Sequence, residues 1–482
     1  MRKITSYGKE LLIMAVIFLI EVSAIIRANF YYNDDLGRNI EGYTGNAFDS
    51  RYVADWVSII VGGNKHNTDV SPLTQILACI FLAAAVVAVV YVFTKGRDFT
   101  VLHYVCGTLI MSPYFLSNMS YKYDSVFMAM SVFAAVLPFV FWVRDSKVLF
   151  YLSSVICLLV MCMTYQASSG IYPMMALMMA FLSWNRGEKS FKESALFLLK
   201  CAGVYLVTLA FFALFLMKPI EEGYINTDVF SAGDFIGGVI SNYKEFYLTV
   251  VGDFMKNWNI LAFLLVVLLG VLFVVKSSRN KFVSAGMFVI LLALMLLVVF
   301  GVYPAFSLTL ILPRSMYGFS FFLMVCGFAI LTFDGILPWG GKAAILVLSW
   351  CLFAFSFTYG NALAQQMKYV DFRVQEVIDD LADLDVMMTD DEKRMVVEGD
   401  IGFCPAIENY TYDYVLIKKL VPVYFQGGTH DWSSAYFYRY FKLPNIKRVY
   451  TLDDAGEFET VQESAYHEIL VNKDNDIIIK LK

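Results

Sequence analysis

The residues best suited to chemistry form a short charged cluster, Tyr31–Arg38, which reads Tyr-Tyr-Asn-Asp-Asp-Leu-Gly-Arg. Asp34 and Asp35 are adjacent carboxylates, and Arg38 follows within about one helical turn. The cluster comes directly after the first long apolar segment. We therefore expect it at a membrane boundary, where charges are costly unless they are paired or used. A carboxylate there can deprotonate an incoming hydroxyl group as a general base, and its neighbour can bind hydroxyl groups of an acceptor.

Further polar residues lie at the ends of other apolar segments, on the same predicted side of the membrane. Cations among them could stabilise the negative charge that develops on a phosphate leaving group. Each also has a structural explanation: an N-cap for Asp69, a snorkelling pair for Lys122 and Asp124, and a headgroup anchor for Arg314. Together with the first cluster, the candidate substrate-binding residues are Arg38, Asp69, Lys122, Tyr123, Asp124, Gln166 and Arg314.

The composition indicates an all-α polytopic membrane protein. Of the 482 residues, 59% are hydrophobic and only 16% are charged, and a membrane-spanning helix needs roughly 20 apolar residues. The apolar runs predict eleven spans, of which the third and sixth are short and could be broken or re-entrant. The predicted spans are residues 11–29, 73–94, 101–117, 124–143, 148–166, 171–184, 194–217, 258–275, 282–303, 315–333 and 343–360.

The orientation follows from lysine and arginine in the short loops, because cytoplasmic loops carry an excess of both. With a cytoplasmic N-terminus, every inside segment is short and basic. The predicted inside segments are Met1–Glu10, Lys95–Thr100, Arg144–Lys147, Asn185–Glu193, Lys276–Lys281 and Asp334–Lys342. The longer loops 30–72 and 218–257 then face outward. The pattern predicts a multi-pass protein of the cytoplasmic membrane.

The two large outer loops each contain an amphipathic stretch, Asn46–Ile60 and Asp234–Gly252, with aromatic residues at helical spacing. Such stretches are typical of helices that lie in the headgroup plane and contact membrane lipid. The alternative is that they only cover the ends of the spans.

Residues 361–482 are predicted to form a small extracytoplasmic α/β domain, separate from a transmembrane domain of residues 1–360. From Leu363 onward there are 22 acidic and 13 basic residues, which argues against a nucleic-acid partner. The pattern predicts a helix at Leu363–Leu384, a strand at Arg394–Gly402, further helices near Ile407–Leu420 and Trp432–Phe441, and strands at Lys447–Leu452 and His467–Leu481 with a turn at Lys473–Asp476.

The sequence contains no motif that points to a metal or cofactor. The four histidines are scattered, and no cysteine spacing is typical of zinc. The residues 361–482 contain no glycine-rich phosphate loop. We therefore expect neither a metal nor a cofactor.

Three segments together resemble a known family. Asn33-Asp-Asp-Leu-Gly-Arg38, Asp69-Val-Ser-Pro-Leu73 and Ser120-Tyr-Lys-Tyr-Asp-Ser125, in that order, are similar to the Gtr-type glucosyltransferase II family within the GT-C superfamily. Members modify bacterial surface polysaccharides such as O-antigen. The resemblance covers roughly the first 320 residues and is strongest between Tyr31 and Pro138.

The resemblance implies a glycosyltransferase that moves a hexose, with glucose expected, from a polyprenyl-phosphate donor to a lipid-linked or surface polysaccharide on the outer face. It implies an inverting reaction without a metal, in which Asp34 or Asp35 is the base and Asp34 the first choice. It also implies functional partnership with a polyprenyl-phosphate glucose synthase and a small flippase. The assignment of Arg38, Lys122 and Arg314 to phosphate contacts comes from their charge and not from the motif.

Two other functions fit the same spans. A transporter or flippase of lipid-linked glycans would move its substrate without making a bond, although no internal repeat typical of two related halves is visible. A glycan polymerase or ligase would use a diphosphate-linked oligosaccharide in place of a monosaccharide donor.

Overall fold

The computed structural model describes residues 7–45, 49–96, 99–218, 228–425, 443, 445–449 and 451–482. The chain divides into two units. The first, the membrane unit, comprises Met1–Ser23, Thr44–Lys65 and Val70–Phe357. The second, the tail unit, comprises Ala24–Tyr43, His66–Asp69 and Thr358–Lys482. The predicted domain division between residues 360 and 361 stays a prediction.

The membrane unit is mostly helical. Helix α1, Gly8–Ala28, begins in the membrane unit and ends in the tail unit, and α2, Asp35–Glu41, belongs to the tail unit. The last helix, α16, Trp339–Ala382, has its first part in the membrane unit. The helices between them are α3 Tyr52–Gly62, α4 Leu73–Thr94, α5 Val101–Gly107, α6 Pro113–Met119, α7 Ser125–Val136, α8 Pro138–Val143, α9 Lys147–Cys162, α10 Ile171–Asn185, α11 Phe191–Phe211, α12 Phe235–Asp253, α13 Lys256–Val275, α14 Lys281–Val298 and α15 Gly318–Leu331.

Helical segments occur in all eleven of the predicted spans. Within the described residues, seven are long and apolar enough to cross a membrane: Gly8–Ala28, Leu73–Thr94, Ser125–Val143, Phe191–Leu216, Lys256–Val275, Lys281–Val298 and Trp339–Ala382. Four shorter apolar helices are Tyr52–Gly62, Val101–Met111, Lys147–Cys162 and Gly318–Leu331. The exact number of spans stays a prediction.

The spans differ in how much of their surface is packed against protein. In α4, 72% of the apolar window is buried, against 17% in α14. The sequence of α4 explains the difference, since small residues such as Ala83, Ala85 and Ala88 allow close approach of neighbouring helices, including α7. The bulky exposed residues of α14, such as Phe282, Val289 and Ile290, are typical of a lipid-facing surface.

Both amphipathic stretches contain the predicted helices. The Asn46–Ile60 stretch includes α3, whose Trp56 and Ile60 are exposed, and part of it lies outside the described residues. The Asp234–Gly252 stretch corresponds to α12. The Asn242 side chain donates hydrogen bonds to the carbonyl oxygens of Pro304 and Phe306, which anchors α12 to the segment before α15. Placement in the headgroup plane stays a prediction.

The tail unit contains a mixed sheet. Its strands are β1 Lys393–Glu398, β2 Ile446–Arg448, β3 Phe458–Glu463, β4 His467–Asn472 and β5 Ile477–Leu481. Their order is β2-β1-β5-β4-β3, with β1 parallel to both β2 and β5 and the remaining pairs antiparallel. Two short helices, α17 Pro405–Thr411 and α18 Ile417–Leu420, lie between β1 and β2 in the chain. The predicted α/β character is confirmed.

The structure corrects three details. The predicted span 343–360 and helix 363–384 form one continuous helix, α16, because the residues that join them, such as Ala362, Leu363 and Ala364, are strong helix formers. The predicted helix Ile407–Leu420 is broken into α17 and α18. The predicted hairpin over His467–Leu481, with its turn at Lys473–Asp476, is confirmed as β4 and β5, whereas no strand is predicted where β3 pairs with β4. The predicted helix Trp432–Phe441 lies outside the described residues.

Candidate functional site

The acidic residues lie where the chain leaves α1 and begins α2. Asp34 occupies the N-cap position of α2, but its side chain makes no capping hydrogen bond. Asp35 is the first residue of the helix and is fully buried, and its Oδ2 accepts the backbone N–H of Tyr32 at 3.1 Å. Asp34 is half-buried. The two predicted bases therefore differ in environment: Asp35 is enclosed and held, whereas Asp34 remains partly accessible.

A left-handed glycine ends α2. Gly42 has φ +66° and donates its N–H to the carbonyl oxygen of Arg38 at 2.8 Å, and a Cβ at this position would overlap the ring of His66. Glycine fits this conformation because it has no side chain. Arg38 is buried, and its guanidinium carbon lies 5.9 Å from the ring centre of Tyr43.

The acid loop, Phe30–Asp35, is held by residues that follow α17 in the tail unit. The hydroxyl of Tyr32 donates to the carbonyl oxygen of Leu420 at 2.8 Å, and the N–H of Asn33 donates to the hydroxyl of Tyr424 at 2.9 Å. Phe30 stacks on Tyr424 with ring centres 4.9 Å apart. The backbone next to Asp34 is thus fixed by residues almost 400 positions away.

Asp69 belongs to the tail unit, in the segment His66–Asp69. This segment joins the end of α2, because the N–H of Asn67 donates to the carbonyl oxygen of Gly42 at 2.8 Å. Pro72 occupies the N-cap position of α4. The interpretation of Asp69 as an N-cap is therefore wrong.

In the membrane unit, Lys122, Tyr123 and Asp124 form the connection between α6 and α7, and all three are buried. The hydroxyl of Thr74 on α4 donates to the carbonyl oxygen of Lys122. Such burial contradicts the interpretation of Lys122 and Asp124 as a pair that snorkels to the surface, since snorkelling charges keep their ends in water.

Gln166 lies after α9 and binds an arginine that the sequence analysis did not select. Its Oε1 accepts Nε–H of Arg51 at 3.2 Å, and its Nε2 donates to the carbonyl oxygen of Asp49 at 3.3 Å. Nη1 of Arg51 lies 3.2 Å from Oδ2 of Asp49, and the guanidinium carbon lies 4.9 Å from the ring centre of Tyr165. Arg51 was visible in the sequence only as a polar residue of an amphipathic stretch.

Arg314 contacts Tyr165 through its backbone and Tyr121 through its side chain, with its guanidinium carbon 5.8 Å from the Tyr121 ring centre. Its Nη1 donates to the hydroxyl of Tyr121, and Tyr165 donates its hydroxyl to the backbone oxygen of Arg314 at 3.3 Å. Tyr165 also stacks on Tyr317, whose hydroxyl lies 2.7 Å from that of Ser168. We call Arg51, Tyr121, Tyr165, Gln166 and Arg314 the arginine–tyrosine cluster.

Glycine permits the close packing beside this cluster. A Cβ on Gly318, next to Tyr317, would overlap the carbonyl oxygen of Val299, and a Cβ on Gly170 would overlap that of Val298. These close approaches fix the segments that carry Tyr165 and Tyr317. Two cations held on a rigid aromatic base can bind a phosphate group through several charge-assisted hydrogen bonds.

The predicted site residues divide between the two units. Asp34, Asp35, Arg38 and Asp69 lie in the tail unit, whereas the membrane unit contains Lys122, Tyr123, Asp124, Gln166 and Arg314. The structure links Gln166 to the Tyr165 ring through Arg51, and the Tyr165 hydroxyl donates to the backbone oxygen of Arg314. Tyr121 connects Arg314 to the segment of Lys122. Within the described residues, no group of three histidine, cysteine or acidic residues could hold a metal ion. Convergence of the two sets on one centre stays a prediction.

The fold defines a mostly helical membrane protein with a small α/β region, and its acid loop follows the first apolar helix. The chain belongs to the glucosyl transferase GtrII family, whose model matches residues 23–330. The family is one of glucosyl transferases, and the apolar helices suggest a membrane protein. The matched range includes the acid loop and the arginine–tyrosine cluster.

The chain is also similar to an uncharacterized 55.3 kDa protein in the gtrB 5′ region of Salmonella phage P22. The two are 25% identical over 223 residues, which is 45% of each chain, so the match spans about half the length of that relative. No solved structure matches.

Proposed function

We propose that the protein transfers glucose from a polyprenyl-phosphate donor to a bacterial surface glycan at the outer face of the cytoplasmic membrane. The observation that carries the proposal is the folded acid loop in a member of the glucosyl transferase GtrII family, with one carboxylate enclosed and its neighbour accessible. A lipid-linked donor suits this location, because nucleotide sugars are made in the cytoplasm. A synthase and a small flippase would supply that donor.

In the proposed reaction, an acceptor hydroxyl oxygen attacks the anomeric carbon of the donor sugar. The bond between that carbon and the phosphate oxygen breaks, and its electron pair leaves with the polyprenyl phosphate. Asp34 takes the hydroxyl proton as general base. A single displacement of this kind inverts the anomeric configuration, as expected for a GT-C enzyme.

Asp34 is the better candidate for the base because it is half-buried, whereas Asp35 is fully enclosed. The Asp35 carboxylate instead orders the loop by accepting the Tyr32 N–H. This difference supports Asp34 as the proton acceptor and Asp35 as the residue that fixes the turn.

Arg314 and Arg51 are proposed to contact the donor phosphate. Both guanidinium groups lie against tyrosine rings of the arginine–tyrosine cluster, and Arg51 is further held by Gln166 and Asp49. Preorganised cations stabilise developing phosphate charge without reorganisation during the reaction. Arg38, Asp69, Lys122, Tyr123 and Asp124 remain proposed substrate contacts.

Purified full-length protein in vesicles, supplied with polyprenyl-phosphate [¹⁴C]glucose and acceptor glycan, tests the proposal. We expect transfer of label to the glycan by the wild type, loss of transfer in Asp34→Asn, and retention in the control Asp334→Asn, an exposed carboxylate. Label moved across vesicles without a new glycosidic bond would indicate a transporter. Transfer only from a diphosphate-linked oligosaccharide would indicate a polymerase or ligase.

A further inference from the structure

Four loops meet at one end of the membrane unit. Nζ of Lys95, after α4, lies 2.6 Å from Oε2 of Glu188, after α10. Arg279, between α13 and α14, donates to the carbonyl oxygens of Trp184 and Lys189 at 3.0 and 2.7 Å. Together with the turn between α8 and α9, these are loops whose basic residues predict the cytoplasmic face.

A cavity of about 490 Å³ opens among three of these loops. One part of its wall is apolar and aromatic, with Trp142 and Phe197 packed at a ring-centre distance of 4.4 Å. The rest is charged and has more cations than carboxylates. The charged residues are Lys95, Lys147, Arg186, Lys189 and Lys200, against Asp145, Glu188 and Glu193.

Lys200 occupies a costly position in this wall. It lies nine residues beyond the start of α11, roughly 13 Å along the helix, in a segment apolar enough to span a membrane. In the part of the chain that the structure describes, neither Lys200 nor Lys147 forms an ion pair with a carboxylate. A lysine at that depth needs an anion or a route to the interface.

Ser194 independently indicates that a ligand binds in this cavity. It lines the cavity six residues before Lys200, and its side chain is buried. Its hydroxyl has no hydrogen-bond partner among the described residues. Buried hydroxyl groups are rarely left without a partner, so a group that can accept a hydrogen bond is expected in the cavity.

We propose that this cavity binds the headgroup phosphate of an anionic glycerophospholipid. Lys147 and Lys200 contact the phosphate, Ser194 donates to one of its oxygens, and the acyl chains follow Trp142 and Phe197 onto the exposed apolar side of α11. Exposed Leu196 and Leu199 on that side favour a lipid over a soluble phosphate compound. Basic pockets between membrane helices on the cytoplasmic side commonly bind such headgroups. This site is separate from the acid loop and does not depend on the proposed function.

Native mass spectrometry of the full-length protein, titrated with phosphatidylglycerol or phosphatidylethanolamine, tests the proposal. We expect tighter binding of phosphatidylglycerol, weakened roughly fivefold in Lys147→Gln and in Lys200→Gln, the factor expected for the loss of one basic contact. Lys200→Arg should retain the tighter binding of phosphatidylglycerol. Lys192→Gln is the matched control, because Lys192 is exposed on the same helix and does not line the cavity.

Equal binding of the two lipids, or a phosphatidylglycerol preference that survives both glutamine substitutions, would overturn the proposal. Displacement of phosphatidylglycerol by millimolar inorganic phosphate would also overturn it, because the site would then bind the anion and not the lipid. If Lys200→Gln does not fold, Lys147→Gln and the wild-type comparison of the two lipids decide the matter.

Discussion

The acid loop and the arginine–tyrosine cluster are fixed in place by different kinds of contact. The loop is held through its backbone and through Tyr32, by partners far along the chain in the tail unit. The cluster is held through its side chains, by tyrosine rings and an amide within the membrane unit. The proposed base therefore depends on the geometry of a turn, whereas the proposed phosphate contacts depend on the orientation of two guanidinium groups.

The largest expected effect separates the two aspartates. Asp34→Asn should lower kcat by roughly 10²–10⁴, because a general base contributes that much, while the protein still inserts and folds. Asp35→Asn should instead lower thermal stability, since a fully buried acceptor of the Tyr32 N–H is altered. Transfer assays measure the loss of activity in both variants, and thermal unfolding measures their loss of stability. A stable, fully active Asp34→Asn would contradict the assignment.

The next effect concerns the cations. Arg314→Gln should lower kcat/KM by roughly 10²–10³, as expected for one lost contact to developing charge. Arg314→Lys should restore part of the activity because it retains the charge but loses the planar fork. Transfer from the polyprenyl-phosphate donor measures both, with Arg144→Gln, an exposed arginine, as the control. Identical rates in Arg314→Gln and the control would remove Arg314 from the site.

A smaller effect tests whether the turn itself matters. Tyr424→Phe keeps the ring that stacks on Phe30 but loses the oxygen that accepts the Asn33 N–H. Loss of one such hydrogen bond, about 1 kcal/mol, should lower kcat roughly fivefold and leave the KM for the donor unchanged. Tyr412→Phe, at an exposed tyrosine, should change neither value. A raised KM with an unchanged kcat would show that Tyr424 does not position the base.

The last prediction concerns the pH dependence of stability in the tail unit, where we expect the smallest effect on activity. Two hydrogen bonds from Arg394 on β1 hold the pKa of Asp476 below its usual range. The stability from this pair is fully present above the unfolded-state pKa, about 3.9, and is lost as pH falls through the lower folded-state value. Thermal unfolding against pH should show this loss in the wild type and a reduced dependence in Asp476→Asn. An equal pH dependence of stability in the wild type and in Asp476→Asn would contradict this role of the Arg394–Asp476 pair.

Much of the fold follows from local pattern. The long apolar runs predict helices in all eleven segments, and alternation predicts β4 and β5. The sequence also places Asp34 and Asp35 after the first span. These features depend on residues near one another in the chain, so their physical signal is local.

The supports of the site could not be predicted in this way. The contact between Asn33 and Tyr424 joins residues 391 positions apart, and neither residue has a local pattern that reveals the other. Arg51 lies in the amphipathic stretch Asn46–Ile60, and its local pattern does not reveal its role, because its contacts with Gln166 and the Tyr165 ring exist only after the spans pack. The continuity of α16 was missed since a change in polarity within a helix does not end it.

The hydrogen bond between Asn33 and Tyr424 also has a consequence during biosynthesis. The ribosome adds Tyr424 to the chain 391 residues after Asn33. At typical rates of chain elongation this interval lasts on the order of 20 to 80 s. The nascent chain would therefore insert the helices that lie between these two residues while its acid loop still lacks this support.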